Sequence, residues 1–466
     1  MVIAPFLYTA IAGLFFAVSF KPFGLWFAAP IAFAILFHQL RTKSHPLAHS
    51  LLFAFVANLV ILSWTSTFVG SIPWLLLVLL QALYFLPLGI AAHFIRSVPV
   101  FIFITLASES LKARFPFGGF SWTKVAFSQV DSPLAPLVST FGIATLSLLT
   151  LLISYTLILR SKTLALVLIS FIVIAHFVNV QPLSSTSIYV RAIQGGVPER
   201  GLDFNARAMA VLDNHVKKTL DDVNGEEELI IWPENAIDVD PLQNQIVAQK
   251  ITSLAEQTGI PLLAGAILDD KELLNSTILF DEAGKPTSIY IKRYLTPFGE
   301  YIPLRSIAQV ISSDANRVTD FSPGENLVVH KVNGTSIGSI ICYEILNDGL
   351  VREVARESSL LVVHTNSATF SGSAEGEQQL AITRLRAMES KKMIVSISTT
   401  GPSAIIDARG EVLEKLQDGE VGSLASVIPT LNNQTLSMRL GGFAELVVLF
   451  SCALWALFSL RKGRKK

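Results

Sequence analysis

Apolar residues run almost without interruption over 2–20, 24–40, 51–69, 73–95, 133–159, 163–180 and 440–460. Each run, coiled as a helix, is about long enough to approach the roughly 30 Å of a bilayer's hydrocarbon, and a shorter run over 98–111 is an eighth candidate. The first has no basic segment ahead of it and leads through Lys21-Pro22-Phe23 into the second, which predicts a retained helix rather than a signal peptide. From about 187 to 431 the pattern changes. Short β-rich runs recur at 188–193, 228–232, 261–268, 276–280, 288–292, 336–342, 360–364, 394–398 and 403–407, with helical periodicity over 206–224, 242–257 and 374–391. Strands alternating with helices and hairpin-like pairs predict a layered α/β sandwich. Asp281-Glu282-Ala283-Gly284 and Asp407-Ala408-Arg409-Gly410 read as turns, each with an acidic opener and a closing glycine. The predicted organisation is about seven transmembrane helices over 1–183, one globular domain over 184–433, and a last helix with a basic tail over 434–466.

Composition agrees with this division. Hydrophobic residues make up 51% of the 466, charged residues only 15%, and the mean hydropathy is +0.53, too apolar for one water-soluble globule. Basic and acidic residues balance at 36 each, so no global positive field exists for nucleic acid to meet. The two cysteines, Cys342 and Cys452, lie in segments too unlike to predict a bridge.

Eight crossings would put both termini on one side, and basic residues indicate which. With the N-terminus inside, inner segments carry Arg41, Lys43, Arg96, Arg160, Lys162 and the tail Arg461, Lys462, Arg464, Lys465 and Lys466. Outer segments carry only Lys21, Lys112, Arg114 and Lys124. The globular domain is therefore expected on the extracytoplasmic side. Glu109, Lys112 and Arg114 beside the Gly/aromatic segment 115–122 suit either a lipid-headgroup rim or an interfacial loop with snorkelling bases.

Three residues in the domain suggest acyl chemistry. Glu234 follows Leu229-Ile230-Ile231-Trp232-Pro233, so a buried strand would deliver a carboxylate to its end, where burial raises it toward a usable base. Cys342 ends Gly338-Ser339-Ile340-Ile341 and precedes Tyr343-Glu344, the layout of a nucleophile elbow whose next backbone N–H faces the same site. Lys292 closes another run and precedes Pro297-Phe298-Gly299-Glu300-Tyr301-Ile302-Pro303, a rigid loop that would hold Glu300 in place. A lysine by the sulfur would stabilise a thiolate and an oxyanion. His364 also ends an apolar run, but strand-end histidines are more often structural. No metal-ligand spacing occurs, and neither metal nor organic cofactor is needed.

Together these segments resemble the nitrilase, or carbon–nitrogen hydrolase, superfamily, with its Glu-Lys-Cys triad in this chain order. The likeness extends to Val190-Arg191-Ala192-Ile193-Gln194-Gly195, to Arg384, Ala387 and Glu389, and to Thr400-Gly401-Pro402-Ser403-Ala404. With the membrane helices it narrows to the apolipoprotein N-acyltransferase family, for which 292–303 and 114–129 look characteristic. The resemblance implies a polytopic α-helical membrane domain carrying an extracytoplasmic nitrilase-like α-β-β-α sandwich, in the bacterial inner membrane. It further implies transfer of a fatty acyl chain from a phospholipid to the free amine of an S-diacylglyceryl-cysteine on an apolipoprotein, through a thioester on Cys342. Catalytic Glu234, Lys292 and Cys342 would be supported by Glu300, Tyr343, Glu344 and Asn366, with Trp232, Tyr301, Arg114 and Phe370 expected to touch substrate. Both substrates carry acyl chains, so the site is expected to open at bilayer level. Nothing demands more than a monomer.

The sequence departs from that family in two places. The family usually has Asp and then Ala-Trp-Phe-Gly after the asparagine, where this chain reads Asn366-Ser367-Ala368-Thr369-Phe370-Ser371-Gly372. The stretch 435–442 lacks the expected aromatic and the final acidic or amide residue. Neither touches the triad. The triad alone also suits a membrane-tethered amidase, and a non-enzymatic lipid-binding scaffold is the third reading.

Overall fold

A computed structural model describes residues 3–178, 184, 186–197, 209–311 and 318–463. The tail residues Arg464–Lys466, the ends of the first and sixth apolar runs and the start of the 206–224 helix lie outside the described residues. The chain divides into two compact units, Met1–Val180 with Thr435–Lys466, and Gln181–Gln434.

The first unit is helical. Its long helices are Ile3–Val18, Ala28–Thr42, Pro46–Ile61, Ser71–Leu83, Leu86–Phe94, Val98–Lys112, Ile143–Leu159, Lys162–Val178 and Gly442–Gly463. Among the described residues, two helical stretches are long and apolar enough to cross a membrane, Ser71–Phe94 and Gly442–Arg461. The run over 133–159 does not form one helix, because Gly142 takes φ +79° and divides it, a conformation open to glycine without a Cβ clash. Phe33, Phe37 and Phe53 pack at the centre, while Phe94 (78% exposed) and Phe450 (66%) face outward. Lys112 and Lys124, expected as outer-segment charges, are buried. Lys112 Nζ donates to the carbonyl and hydroxyl of Thr123 at 2.8 and 3.1 Å, and Glu109 accepts from Val125 N at 2.6 Å. These groups complete one another's hydrogen bonds inside the unit, as buried polar groups must.

Among the described residues the second unit contains twelve strands: β1 Ser187–Gln194, β2 Leu229–Ile231, β3 Leu262–Asp270, β4 Glu272–Phe280, β5 Pro286–Ile291, β6 Val329–Val332, β7 Thr335–Ile341, β8 Leu360–Thr365, β9 Ile394–Ser398, β10 Ser403–Ile406, β11 Val412–Leu416 and β12 Gly422–Pro429. They form two six-stranded sheets, in the orders β12-β1-β2-β3-β4-β5 and β11-β10-β9-β8-β7-β6. Side-chain alternation explains the layering. Val190, Leu229, Ile231 and Leu263 share one core with Ile337, Val362, Val395 and Ile405 of the other sheet. The intervening Ile230, Leu262 and Ala264 face a second core shared with Leu212, Val247, Ile251 and Leu254 from the helices Ala210–Asp222 and Gln245–Thr258. The central strands are thus covered on both faces, which is why they read as continuous apolar runs. Helices Asp348–Glu357 and Glu375–Ser390 pack on the second sheet. Both acidic-to-glycine turns form, with Gly284 N donating to Asp281 O and Gly410 N to Asp407 O, each at 2.9 Å. β12 pairs antiparallel with β1, from Ser187 opposite Pro429 to Gln194 opposite Gly422.

Candidate active site

Glu234 and Cys342 leave the ends of strands in opposite sheets. A cross-sheet link aligns those ends: buried His364 on β8 bonds through Nδ1 to Trp232 O at 2.9 Å and through Nε2 to Ser339 Oγ at 3.2 Å. Burial holds its pKa down to about 4, and both ring nitrogens are occupied. His364 is therefore a structural bridge.

Cys342 follows β7 with φ +50° and opens a tight helical turn through Leu346. A left-handed backbone at a non-glycine residue costs about 1–3 kcal/mol and persists only where its surroundings enforce it. Two residues do so. Glu344 is wholly buried and accepts four bonds, from Ile341 N at 2.9 Å, Tyr290 Oη at 2.8 Å, Arg293 N at 2.7 Å and Tyr294 N at 3.2 Å. One carboxylate thus fastens the strand end before Cys342 to the segment after Lys292. Arg386, also wholly buried, donates to Ile345 O at 3.0 Å and pairs with Asp348 and Glu389.

Lys292 lies between two carboxylates. Its Nζ is 3.3 Å from Glu234 Oε1 and 2.8 Å from Glu300 Oε2, with the lysine side chain only 1% exposed. Asn275 on β4 closes the square, donating Nδ2 to Glu234 Oε1 at 2.8 Å and to Glu300 Oε1 at 2.6 Å. Thr296 N adds a bond to Glu300 Oε2 at 2.7 Å, so the proline-rich loop holds Glu300 through its own backbone. Burial alone would lower the lysine, but Glu300, Glu234 and Cys342 more than reverse this and keep it an ammonium. Burial would raise Glu300, and Lys292 with these bonds holds it below the usual carboxylate range. Glu234 goes the other way, raised by burial and by the charge of Glu300 against the pull of Lys292 and Asn275. Two carboxylates sharing one lysine are driven apart, one fixed as an anion and one able to hold a proton. The Cys342 thiol is itself raised well above its ordinary value by burial and by Glu234, so it needs a base to ionise.

Of the supporting residues, Asn366 is held by Thr399 Oγ1 at 2.8 Å and Ala368 N at 3.2 Å, both donating to its Oδ1. Tyr343 and Tyr301 are half-buried, and burial raises both phenols. Phe370 is half-buried in a turn closed by its N–H to Ser367 O. One expected substrate contact needs correction. Trp232 is wholly buried in the core beneath the helices, its Nε1 donating to Thr219 Oγ1 at 2.9 Å, which leaves no face of the indole for a substrate. Arg114 belongs to the helical unit, where Glu445 takes its guanidinium bidentately at 3.0 and 2.6 Å.

Sequence reasoning missed Asn275, Gln379, Glu375 and Arg386. Gln379 Nε2 approaches Cys342 Sγ at 3.8 Å. Asn275 sits mid-strand and the other three on one helix, and no turn or strand end marks them. Among the described residues, no group of three or more metal-ligating side chains occurs.

Comparison with known proteins gives the context for this geometry. Residues 12–156 match the family described as "Apolipoprotein N-acyltransferase N-terminal domain" and residues 205–432 match "Carbon-nitrogen hydrolase". An apolipoprotein N-acyltransferase of Mycolicibacterium smegmatis is 31% identical over 97% of this chain and 84% of its own length. One from Haemophilus ducreyi is 27% identical over 96% and 95%. An amidase from Nesterenkonia sp., known by crystal structure, is 19% identical over 54% of this chain and 95% of its own, with a TM-score of 0.40. On the two family matches and the Mycolicibacterium smegmatis relative, which span both units, the chain belongs to the apolipoprotein N-acyltransferase family.

Proposed function

We propose that the protein moves a fatty acyl chain from a membrane phospholipid to the free α-amine of a lipoprotein's N-terminal S-diacylglyceryl-cysteine, through a thioester on Cys342. The observation that carries this reading is the buried Glu234–Lys292–Glu300 cluster beside an elbow cysteine, in a chain of this family. Glu234 takes the thiol proton, and the sulfur attacks the ester carbonyl. Lys292 and the backbone N–H after the nucleophile hold the oxyanion. The intermediate collapses, Glu234 returns the proton to the departing lysophospholipid oxygen, and a thioester remains. In the second half the lipoprotein amine attacks this carbonyl, the C–S bond breaks, and Glu234 passes a proton from nitrogen to sulfur. Glu300 acts through Lys292 by keeping it charged and in place. Tyr343, Tyr301 and Phe370 supply pocket walls, and water must be kept from the thioester or the enzyme becomes a phospholipase.

The same reading makes the helical unit a membrane domain of about eight helices. Outward-facing side chains such as Leu7, Phe94 and Phe450 suit lipid, and the excess of Lys and Arg in alternate short segments supports a catalytic unit on the outer face of the bacterial inner membrane. Domain limits at 183 and 433 and a monomeric state complete the proposal.

The test uses the full chain in detergent with phospholipid and a diacylated lipopeptide bearing a free N-terminal amine. A gain of one acyl chain in the lipopeptide mass is expected. Folded protein that hydrolyses small amides without acylating the peptide would overturn the reading in favour of an amidase.

A glycine far from the triad in sequence gives a further prediction. A Cβ on Gly265 of β3 would lie 2.3 Å from Pro233 O and 2.6 Å from Glu234 Cα, so Gly265→Ala must push the backbone that carries the base. The transfer rate is expected to fall roughly 10–100-fold, since a displacement near 1 Å costs on that order. A rate within twofold of wild type in a stopped-time assay would refute this.

A further inference from the structure

One carboxyl beside the nucleophile has no part in the mechanism above. Glu375 begins the Glu375–Ser390 helix and is 4% exposed, and its Oε2 has no hydrogen-bond partner among the described residues. Buried carboxyl oxygens are rarely left so. Its neighbours fix where it points. The carboxyl bonds the Ser367 side chain, the charge of Glu234 acts on it and its own charge acts on the Cys342 thiol, and Gln379, one turn on along the same helix face, reaches Cys342 Sγ. The start of this helix therefore brings an amide to the sulfur and an acid whose charge reaches it, while Glu234 approaches from the end of β2.

The second substrate brings a problem that Glu234 is badly placed to solve. An α-amino group has a pKa of about 7.7–8.0, so at neutral pH it arrives largely as an ammonium with no lone pair for attack. Glu234 sits against the Lys292 ammonium, which repels a second cation. The titratable groups that face Glu375 are Glu234, Cys342 and Asp418, every one an acid, so its surroundings favour a cation. We infer that Glu375 docks and deprotonates the acceptor's α-ammonium before that nitrogen attacks the thioester. Burial first, then Glu234 and Asp418, bring Glu375 up to about 7, close enough to an amine for the proton to pass without a large uphill step. The ammonium's three protons are then accounted for: one goes to Glu375 and on to solvent, one passes through Glu234 to the leaving Cys342 sulfur, and one stays on the amide. This inference rests on the acyl-transfer reading.

Two half-reactions separate it from that reading. With phospholipid alone, wild type and Glu375→Gln are expected to release a lysophospholipid burst of the same amplitude, one per enzyme, whatever its rate, which also shows that the variant is folded. With diacylated lipopeptide added at pH 7, transfer by Glu375→Gln is expected to fall at least tenfold, and the deficit to shrink to a few-fold at pH 9, where the amine is already neutral. Glu375→Asp, which keeps the acid, should lose less at pH 7 than Glu375→Gln. Wild-type transfer by Glu375→Gln, a deficit equal at both pH values, or loss of the burst together with transfer would overturn the inference. Absence of any burst from wild type would instead remove the acyl-transfer reading itself.

Discussion

Cys342→Ala is expected to lower acyl transfer by roughly 10⁴-fold or more, because no other group takes over a missing covalent nucleophile. The side chain is small and half-buried, and its polar contact is the long one to Gln379, so the variant's melting temperature should stay within a few degrees of wild type. The covalent intermediate gives the direct readout. Wild type exposed to phospholipid without acceptor should gain the mass of one acyl chain, and the alanine variant none. The other cysteine, Cys452, is buried in the Gly442–Gly463 helix, and it should stay unmodified in both. Acylation of the alanine variant would place the nucleophile elsewhere and sink the proposed site.

Lys292→Met should be as damaging and should also reverse how stability responds to pH. The substitution keeps the volume but leaves Glu234 and Glu300 buried without their shared cation. Stranding buried charge in this way costs about 3–5 kcal/mol, and the oxyanion loses its charged donor. In wild type the depressed Glu300 contributes stability above the unfolded carboxylate value of about 4.3, lost as pH falls through its folded pKa. Without Lys292, burial raises both carboxyls. Their contribution is then full below about pH 4.3 and is lost as pH rises through their folded pKa values. The gap in melting temperature between wild type and variant should therefore widen from pH 5 to pH 8. A constant gap would mean that the two acids do not depend on the lysine.

Glu234, Lys292 and Cys342 were legible as candidates because each follows the end of a strand, and a strand ending in a polar residue is visible in one dimension. What surrounds it was not. Asn275 lies within β4 and gains its role only because β4 neighbours both β3 and β5. Glu375 and Gln379 follow an ordinary helical period, and nothing along the chain says that this face meets Cys342. Trp232 misled for the opposite reason, since adjacency to Glu234 suggested the site whereas side-chain alternation sends it to the other face of the sheet. The missed strands, β6, β11 and β12, all lie at sheet edges, where one side goes uncovered and the apolar pattern weakens. β6 is short and carries His330, buried only because Thr277 and Ser288 from the facing strands bond its ring. β11 is an edge strand exposing Val412 and Leu413, and β12 opens with a glycine and closes with a proline.

The pairing of β1 with β12 has a consequence for how the protein is made. The first strand of the catalytic unit to leave the ribosome can complete its sheet only with the last, about 240 residues later, an interval of roughly 12–50 s at ordinary synthesis rates of about 5–20 residues per second. Through that interval one edge of β1 stays open, and an unpaired strand edge is a template for wrong partners. The alternating apolar face of Ile188, Val190 and Ala192 is therefore where a chaperone would be needed first. Truncations that stop short of Gly422 should aggregate even though every triad residue is present.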